Sequence, residues 1–215
     1  MAFDFKKEYK ELYAPKTKPE IVEVPPMNYV AVRGVGDPNV EGGAYQQSVQ
    51  ILYAISYTIR MSYKGERQIE GFFPYVVPPL EGFWWQEGVH GVDYANKHTF
   101  NWISVIRLPD FVAEEDLLWA KGEAARKKKL DCSTAEFLRV NEGLCVQAMH
   151  LGPFDLEPQT VAMMDEYLLE HGYEHDFSDT RFHHEIYLSD PRKVPPEKYK
   201  TVIRHPIRKC SISKA

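Results

Sequence analysis

The sequence predicts an α+β fold made of two modules that repeat the order strand, helix, strand, strand. The stretches SVIRLPD (residues 104–110) and TVIRHPI (residues 201–207) share the pattern hydroxyl, Val, Ile, Arg, any residue, Pro, and each closes one half of the 215-residue chain. The patterns that precede these stretches also follow one order in both halves. Four elements in the same order favour an internal duplication over a chance echo.

The first module begins with strand-like residues and continues into an amphipathic helix. Residues 21–24 and 29–35 have the composition of a strand, or of a strand pair interrupted by Pro25 and Pro26. Residues 43–63 follow with apolar side chains at helical spacing, which predicts a helix with one face against a core. Gly36, in the turn between these elements, has Gly152 as its counterpart in the second half.

The first module closes with two further strands, predicted at residues 72–77 and 100–108. The segment between them, EGFWWQEGVHGVDYANKH at residues 81–98, is interpreted as an insertion because the first half is longer than the second. Residues 112–130 open with acids and end with bases, which matches a helix dipole and predicts a connecting helix.

The second module repeats this order. Residues 137–140 and 144–150 predict a hairpin that turns at Asn-Glu-Gly. A helix follows at residues 158–170 and stops at Gly172, and strands follow at residues 181–189 and 200–208. We therefore expect a single domain over residues 1–215, with modules at about 20–110 and about 136–209 and the connecting helix at about 112–130.

Composition excludes several classes of function. A net charge of −5 and a pI near 5.9 lack the basic excess of a protein that binds nucleic acid directly. There is no run of eighteen apolar residues and no export signal, so we expect a cytoplasmic protein without a membrane partner. Cys132, Cys145 and Cys210 lack metal-site spacing and are expected to be inert thiols.

Metal and cofactor motifs are not found. His183 and His184 are neighbours on opposite faces of a strand, so they do not form a simple ligand pair, and Gly172 separates His171 from His175. The chain has no phosphate loop, dinucleotide fingerprint or Gly-X-Ser-X-Gly elbow. The expectation is a protein without a cofactor and without a metal.

Strand alternation makes residues 181–189 the first candidate site. His183, Glu185 and Tyr187 share one face, while His184 lies with core-like apolar residues on the other. A Glu in mid-strand is costly to bury unpaired. Two interpretations stay open: a solvated strand face, or the floor of a pocket in which Glu185 has a raised pKa and binds a polar or cationic ligand or acts as acid or base.

Aromatic side chains supply the other candidates. Trp84 and Trp85 are adjacent, and neighbouring side chains diverge, so at least one is expected at a cleft, surface or interface. Tyr53 and Tyr57 stand one helical turn apart, away from the apolar stripe. Together with Tyr45 they form a tyrosine series that fits a cleft wall, ordinary surface tyrosines or a dimer contact.

The repeated order, the opening YVAVRGVGDPN and the segment HHEIYLSDPRK resemble the GyrI-like (gyrase-inhibitor-like) small-molecule-binding family over residues 21–208. The resemblance implies one curved antiparallel sheet with two long helices flanking a central cleft, and a ligand over the strand glutamate, here Glu185. About twenty residues precede the first strand, so the chain is similar to members without a DNA-binding helix-turn-helix. It also resembles the stand-alone members that hydrolyse the cyclopropane of DNA-alkylating cyclopropanoids inside an aromatic cage.

The function expected from these observations is binding of flat aromatic or cationic xenobiotics, with hydrolysis of an electrophilic cyclopropanoid as an additional activity. Glu185 and Tyr187 are the candidate catalytic residues. The candidate ligand-binding residues are Trp84, Trp85, Tyr53, Tyr57 and His183. The alternatives are a non-catalytic drug sink and a protein-interaction module that modulates DNA gyrase. The sequence leaves the oligomeric state open.

Overall fold

The computed structural model describes residues 2–89 and 92–210, and its elements follow the duplicated order. The helices are α1 (Phe5–Glu8), α2 (Lys10–Tyr13), α3 (Ala44–Arg60), α4 (Glu114–Lys128) and α5 (Glu157–His171). The strands are β1 (Glu20–Val24), β2 (Met27–Val35), β3 (Leu80–Trp85), β4 (Asn101–Leu108), β5 (Glu136–Val140), β6 (Gly143–Leu151), β7 (Tyr173–His175), β8 (His183–Tyr187) and β9 (Lys200–Lys209).

One curved antiparallel sheet contains every strand of the described residues, and it confirms the predicted fold class. Its order is β1-β6-β9-β8-β3-β4-β2-β5, with β7 added to β9. The modules β2-α3-β3-β4 and β6-α5-β8-β9 therefore occupy the two halves of the sheet and join where β3 pairs with β8. Gly36 and Gly152 follow the first strand of each module with φ of 117° and 127°, as expected of counterparts.

At both ends of the sheet, the outermost ladder pairs the same two long stretches of chain. One stretch consists of β1 and β2, and the other consists of β5 and β6. Glu20 pairs with Gln147 and Ala31 with Glu136, and the register runs on unbroken from the β1–β6 ladder to the β2–β5 ladder. The predicted hairpin of residues 137–140 and 144–150 is therefore wrong. Asn-Glu-Gly interrupts one long strand instead of reversing it, and each half of that strand pairs with a different half of its partner.

The strand predicted at residues 72–77 is also wrong. That segment makes only an isolated bridge, from Tyr75 to Phe3. The pairing strand is β3, which begins immediately after Pro78 and Pro79, because proline cannot donate to a ladder. The predicted insertion at residues 81–98 thus starts inside a central strand, and its residues 90 and 91 lie outside the described residues.

The sequence echo is offset by two residues from the structural correspondence of the modules. Arg107 pairs with Tyr29, whose counterpart Cys145 pairs with Pro206. Pro206, and not Arg204, is therefore the counterpart of Arg107. An offset of two preserves the face of the strand, so both arginines still point to the same side of the sheet.

The two faces of the sheet have different covers. The helix face carries Val30, Trp102, Ile106, Val146 and Ile203 and packs against the long helices. The N-terminal face carries Tyr29, Phe83, Val105, Ile186 and Val202 and packs against Phe5, Leu12 and Tyr13 of the first two helices. No helix in the described parts of the chain has the length and apolar character needed to cross a membrane.

A buried cluster of charged side chains on the N-terminal face connects the segment that contains α1 and α2 to the sheet. His184 lies 3.0 Å from both Glu81 Oε2 and Glu142 Oε1, and Arg204 Nη1 donates to Glu142 Oε2 at 3.1 Å. Arg204 Nη2 also donates to the carbonyl of Leu12 at 2.8 Å. Alternation with Ile186 suggested that His184 lies on an apolar face. The structure shows instead that His184 is the centre of an ionic network.

Mutual compensation keeps this network ionised. Burial favours the neutral form of Glu142, but His184 and Arg204 outweigh it and lower the pKa of Glu142 to about 2. Burial likewise opposes protonation of His184, but Glu142 and Glu81 outweigh it and raise the pKa of this imidazole. His184 is accordingly an imidazolium that donates from both ring nitrogens.

We expect Glu142→Gln to lower the free energy of unfolding by about 3–5 kcal/mol, because it leaves His184 and Arg204 buried without their shared counter-charge. Urea denaturation at pH 7 measures the loss. The matched control is Glu136→Gln, which breaks the solvent-exposed ion pair with Arg33 and should cost less than about 1 kcal/mol.

The pH dependence separates the charge of Glu142 from its packing. The pKa of Glu142 is lower in the folded protein than the value of about 4.3 for Glu in an unfolded chain. Its charge therefore stabilises the fold above about pH 4.3, and this stabilisation is lost as the pH falls toward about 2. His184 stays protonated over this range and adds no slope. The stability difference between wild type and Glu142→Gln should therefore shrink as the pH falls, and a constant difference would show that packing alone is affected.

Candidate functional site

Strand β8 places three polar side chains beneath the helices. His183, Glu185 and Tyr187 share the helix face, as the alternation predicted, and Glu185 is only 7% exposed. The interpretation of this face as solvated is therefore wrong. The residues are buried because β8 is a central strand with β3 and β9 as neighbours.

A chain of hydrogen bonds fixes the Glu185 carboxylate. His183 Nε2 lies 2.8 Å from Glu185 Oε1, and His183 Nδ1 lies 2.6 Å from His205 Nε2. The Tyr187 hydroxyl donates to Glu185 Oε2 at 2.7 Å. Trp84 Nε1, which can only donate, reaches the same hydroxyl at 3.0 Å. The direction of the last two bonds is thus determined, and the proton of Tyr187 points to Glu185.

Gly82 leaves the space in which this arrangement fits. It pairs directly with Glu185 across the β3–β8 ladder. A Cβ at position 82 would lie 2.6 Å from Trp84 Nε1 and 3.1 Å from the Tyr187 hydroxyl. Glycine is therefore required by the close approach of these two side chains, whose hydrogen bond passes over it.

A second carboxylate comes from the start of α5. Glu157 is fully buried and accepts a hydrogen bond from the Tyr94 hydroxyl at its Oε2, at 3.1 Å. Its Oε1 has no hydrogen-bond partner among the described residues. Glu157, His183 and Glu185 each bring a potential ligand atom within 4.8 Å of the others. Two carboxylates and an imidazole therefore converge in one buried place.

The two carboxylates have opposite pKa shifts. Burial raises the pKa of Glu157 well above its ordinary value, and the nearby Glu185 raises it further. Burial acts on Glu185 in the same direction, but hydrogen bonds from His183 and Tyr187 outweigh it and lower the pKa of Glu185. The expectation of a raised pKa at Glu185 is thus wrong. Glu157 is therefore the carboxyl group whose environment favours the neutral form, and Glu185 is the one whose environment favours the charged form.

Three pairs of aromatic rings lie in the neighbourhood of the two carboxylates. Tyr45, from the first turn of α3, packs on Trp84 with ring centroids 5.3 Å apart. Phe154 meets Tyr187 edge to face at 5.7 Å, and Tyr94 meets Phe100 edge to face at 6.4 Å. At these spacings the rings are in contact with one another, in the range of ordinary aromatic pairs.

The structure separates the predicted site residues into two groups. Trp84, His183, Glu185 and Tyr187 meet on the helix face. Trp85 points to the N-terminal face and stacks on Phe182 at 4.5 Å.

The two tyrosines of α3 lie away from the carboxylates. Tyr53 packs beside Tyr57, with ring centroids 6.3 Å apart, and is half-buried. Tyr57 is 51% exposed and lines a groove with Trp119 of α4. This groove belongs to the α3–α4 side of the helix layer.

Sequence reasoning missed Glu157, Tyr94 and His205. Glu157 precedes Pro158, and that position indicates only a helix start, where an acid is ordinarily explained by the helix dipole. Tyr94 belongs to a 3₁₀ turn, Tyr94–Thr99, within the presumed insertion. His205 lies on the helix face of β9, two residues from Ile203, so alternation could have placed it, but not its contact with His183.

A donor set of two carboxylates and one imidazole suits a divalent cation chemically. Histidine and carboxylate ligands are common in zinc and iron sites. Of the described residues, only Glu157, His183 and Glu185 form such a group. In the arrangement observed, Nε2 of His183 donates a hydrogen bond to Glu185. The atoms that could bind a metal therefore take part in hydrogen bonds with one another instead.

Comparison with known proteins identifies relatives over the full chain. Residues 17–208 match the family model described as GyrI-like small molecule binding domain. A structure described as a hydrolase from Listeria innocua is 49% identical with a TM-score of 0.87, and an uncharacterized conserved protein from the same organism is 52% identical with a TM-score of 0.90. Both matches cover 96% of this chain and all of the other.

A more distant structure shares the fold. The C-terminal domain of EcmrR is 12% identical with a TM-score of 0.54, over 89% of this chain and 97% of that one. A search of curated proteins gave no significant match.

We expect Gly82→Ala to disrupt the Trp84–Tyr187 hydrogen bond and to destabilise the protein by about 1–3 kcal/mol, because the new methyl overlaps the indole. Near-ultraviolet circular dichroism and tryptophan fluorescence, with urea denaturation, measure the change.

The matched control for that substitution is Gly122→Ala on α4. A Cβ there meets nothing within 4 Å, and alanine has the higher helix propensity, so this variant should be stabilised by up to about 1 kcal/mol. Equal spectra and equal stability of wild type and Gly82→Ala would contradict the steric role of Gly82.

Proposed function

The chain belongs to the GyrI-like family of small-molecule-binding domains, and on this basis we propose that it binds flat aromatic xenobiotics over Glu185 and hydrolyses cyclopropanoid members of that class. The observation that carries the proposal is the buried pair Glu157–Glu185, whose carboxyl groups converge beside His183 and the rings of Trp84 and Tyr187. We place this activity in the cytoplasm, as a form of xenobiotic resistance.

The charge of the site favours a ligand with a positive or hydrogen-donating part. Glu185 accepts hydrogen bonds from His183 and Tyr187, and its lowered pKa favours the carboxylate form. A buried carboxylate without a cation is costly. A flat ring system that carries a cation or an N–H would offset this cost while its face contacts Trp84 and Tyr45.

Hydrolysis needs one base and one acid on the two sides of such a ligand. In a spirocyclopropyl dienone, water attacks the cyclopropane carbon, the strained carbon–carbon bond breaks, and the electron pair moves to the carbonyl oxygen to form a phenol. Glu185, as the carboxylate, takes the proton from water. Glu157, as the acid, gives its proton to the oxygen, and proton transfer from Glu185 back to Glu157 restores the starting state.

The neighbouring residues take positioning roles in this scheme. Tyr187 and His183 hold the two oxygens of Glu185 and keep its pKa low, so that it is ionised before the ligand arrives. Trp84 orients Tyr187 and supplies a stacking wall. Trp85, Tyr53 and Tyr57 have no contact with the carboxylate pair, and we assign the ligand contacts of this proposal to Trp84, Tyr45 and Phe154 in their place.

We expect Glu185→Gln to reduce kcat/KM for a cyclopropanoid by about 10²–10⁴-fold, because the base is lost. Purified protein is mixed with a tenfold excess of a spirocyclopropyl dienone, and the ring-opened product is followed by mass spectrometry. The control is Trp85→Phe, on the same sheet but on the opposite face, which should retain wild-type turnover. Saturation of wild type at one equivalent, without product, would identify a drug sink in place of a hydrolase.

The pH profile tests the division of labour between the carboxylates. Activity requires Glu185 ionised and Glu157 protonated, so kcat/KM should fall on the alkaline side as the raised pKa of Glu157 is passed. Glu157→Gln keeps a neutral hydrogen-bond donor but cannot titrate. It should be about 10–100-fold slower and lose the alkaline limb. An unchanged alkaline limb in Glu157→Gln would assign that limb to another group.

A further inference from the structure

Arg107 is a buried cation on the N-terminal face whose hydrogen-bonding capacity is not met. It is 5% exposed, and its Nε and Nη1 atoms have no hydrogen-bond partner among the described residues. Its guanidinium lies over the rings of Phe5 and Tyr9, at 4.7 and 4.6 Å from their centroids. Arg204, its partner in the sequence echo, differs sharply, because all three of its nitrogens donate to protein oxygens.

The charges buried with Arg107 do not balance. The cations are Arg107, Arg204 and the imidazolium of His184, and the carboxylates are Glu81 and Glu142. Both oxygens of Glu81 are already occupied, by Tyr13 and His184, and Glu142 binds His184 and Arg204. One positive charge is therefore left over, and Arg107 is the group without a carboxylate. An uncompensated buried charge of this kind is strongly unfavourable.

No carboxylate of the described residues forms an ion pair with Arg107, and Glu81 acts on it only from a longer distance. Tyr13 lies beside the guanidinium and offers only a neutral oxygen, and burial raises the pKa of this phenol further from any range in which it would ionise. The guanidinium carbon lies over the rings of Phe5 and Tyr9, and Nε and Nη1 have no hydrogen-bond partner among the described residues. A planar guanidinium edge is the usual partner of a small oxyanion or halide.

We propose that Arg107 binds a small anion, chloride or a simple oxyanion, beneath the N-terminal segment. The anion accepts from Nε and Nη1 and completes the charge balance of the N-terminal face. Because Phe5 and Tyr9 cover the same guanidinium, the anion stabilises the docked position of the segment that contains α1 and α2. This site lies on the other face of the sheet from Glu185 and does not depend on the proposed hydrolysis.

Chloride binding can be measured directly. Protein dialysed into a chloride-free buffer, with ionic strength held constant by a bulky organic sulfonate, is titrated with sodium chloride. Two results are expected. The Tm should rise with chloride concentration until the site is saturated. The ³⁵Cl NMR line should be broader than in buffer, and this excess width should decrease when another anion displaces the bound chloride. Parallel titrations with formate and phosphate distinguish a halide site from an oxyanion site by which anion displaces chloride.

Arg107→Met tests the assignment, because methionine keeps apolar contact with Phe5 and Tyr9 but has no charge. Its Tm should not depend on chloride, and its ³⁵Cl line width should equal that of buffer. Arg33→Gln, at a half-exposed arginine, should behave as wild type. Should Arg107→Met not fold, Arg107→Lys, which lacks the paired N–H edge, should weaken chloride binding at least tenfold.

Two results would overturn the proposal. One is a wild-type protein whose Tm and ³⁵Cl line width show no saturable response to any of the three anions. The other is a response of the same size in Arg107→Met, which would place anion binding elsewhere on the protein.

Discussion

The structure depends on the burial of ionisable groups on both faces of one central strand. Strand β8 presents His183 and Glu185 to the helices and His184 to the N-terminal segment, and all three are at least nine-tenths buried. Each needs partners from other elements: Glu81 of β3, Glu142 between β5 and β6, and His205 of β9. The contact between His184 and Glu81 crosses the join between the two modules, so the positions of the modules and the ionisation of β8 are set together.

The duplication explains where the site lies, and divergence explains its asymmetry. Gly82 and Glu185 face each other in the β3–β8 ladder at the centre of the repeated pattern, and by the same correspondence Tyr187 is the counterpart of Trp84. The first module contributes Gly82, which has no side chain, and the indole of Trp84. The second module contributes the carboxylate of Glu185 and the phenol of Tyr187. A symmetric pair of glutamates would place two charges in the space that now holds one. The second acid, Glu157, instead comes from α5 and has a raised pKa.

Much of the fold was predictable from the sequence, whereas the acid pair was not. Alternation along residues 181–189 identified the correct side-chain set, and Gly36 with Gly152 marked the repeat. The errors have local causes: Pro-rich residues 72–79 imitate a strand in hydrophobicity, and Asn-Glu-Gly imitates a hairpin turn. Glu157 carries no local signal, because its burial follows from how α5 packs on β6, which is a tertiary contact.

The shared strand also constrains how the two faces can evolve. His184 and Glu185 are adjacent in β8 but lie on opposite faces. If His184 lost a partner and the backbone shifted to compensate, the carboxylate of Glu185 would move as well. On the N-terminal face, His184 lies 3.0 Å from both Glu81 and Glu142, and these two contacts constrain the position of β8. On the helix face, Glu157 Oε1 has no hydrogen-bond partner within the described part of the chain, and a buried polar atom without a partner is unfavourable. A rigid support is what allows such an unsatisfied pair to persist in place, because a flexible strand would move until the two carboxylates reached water or new donors.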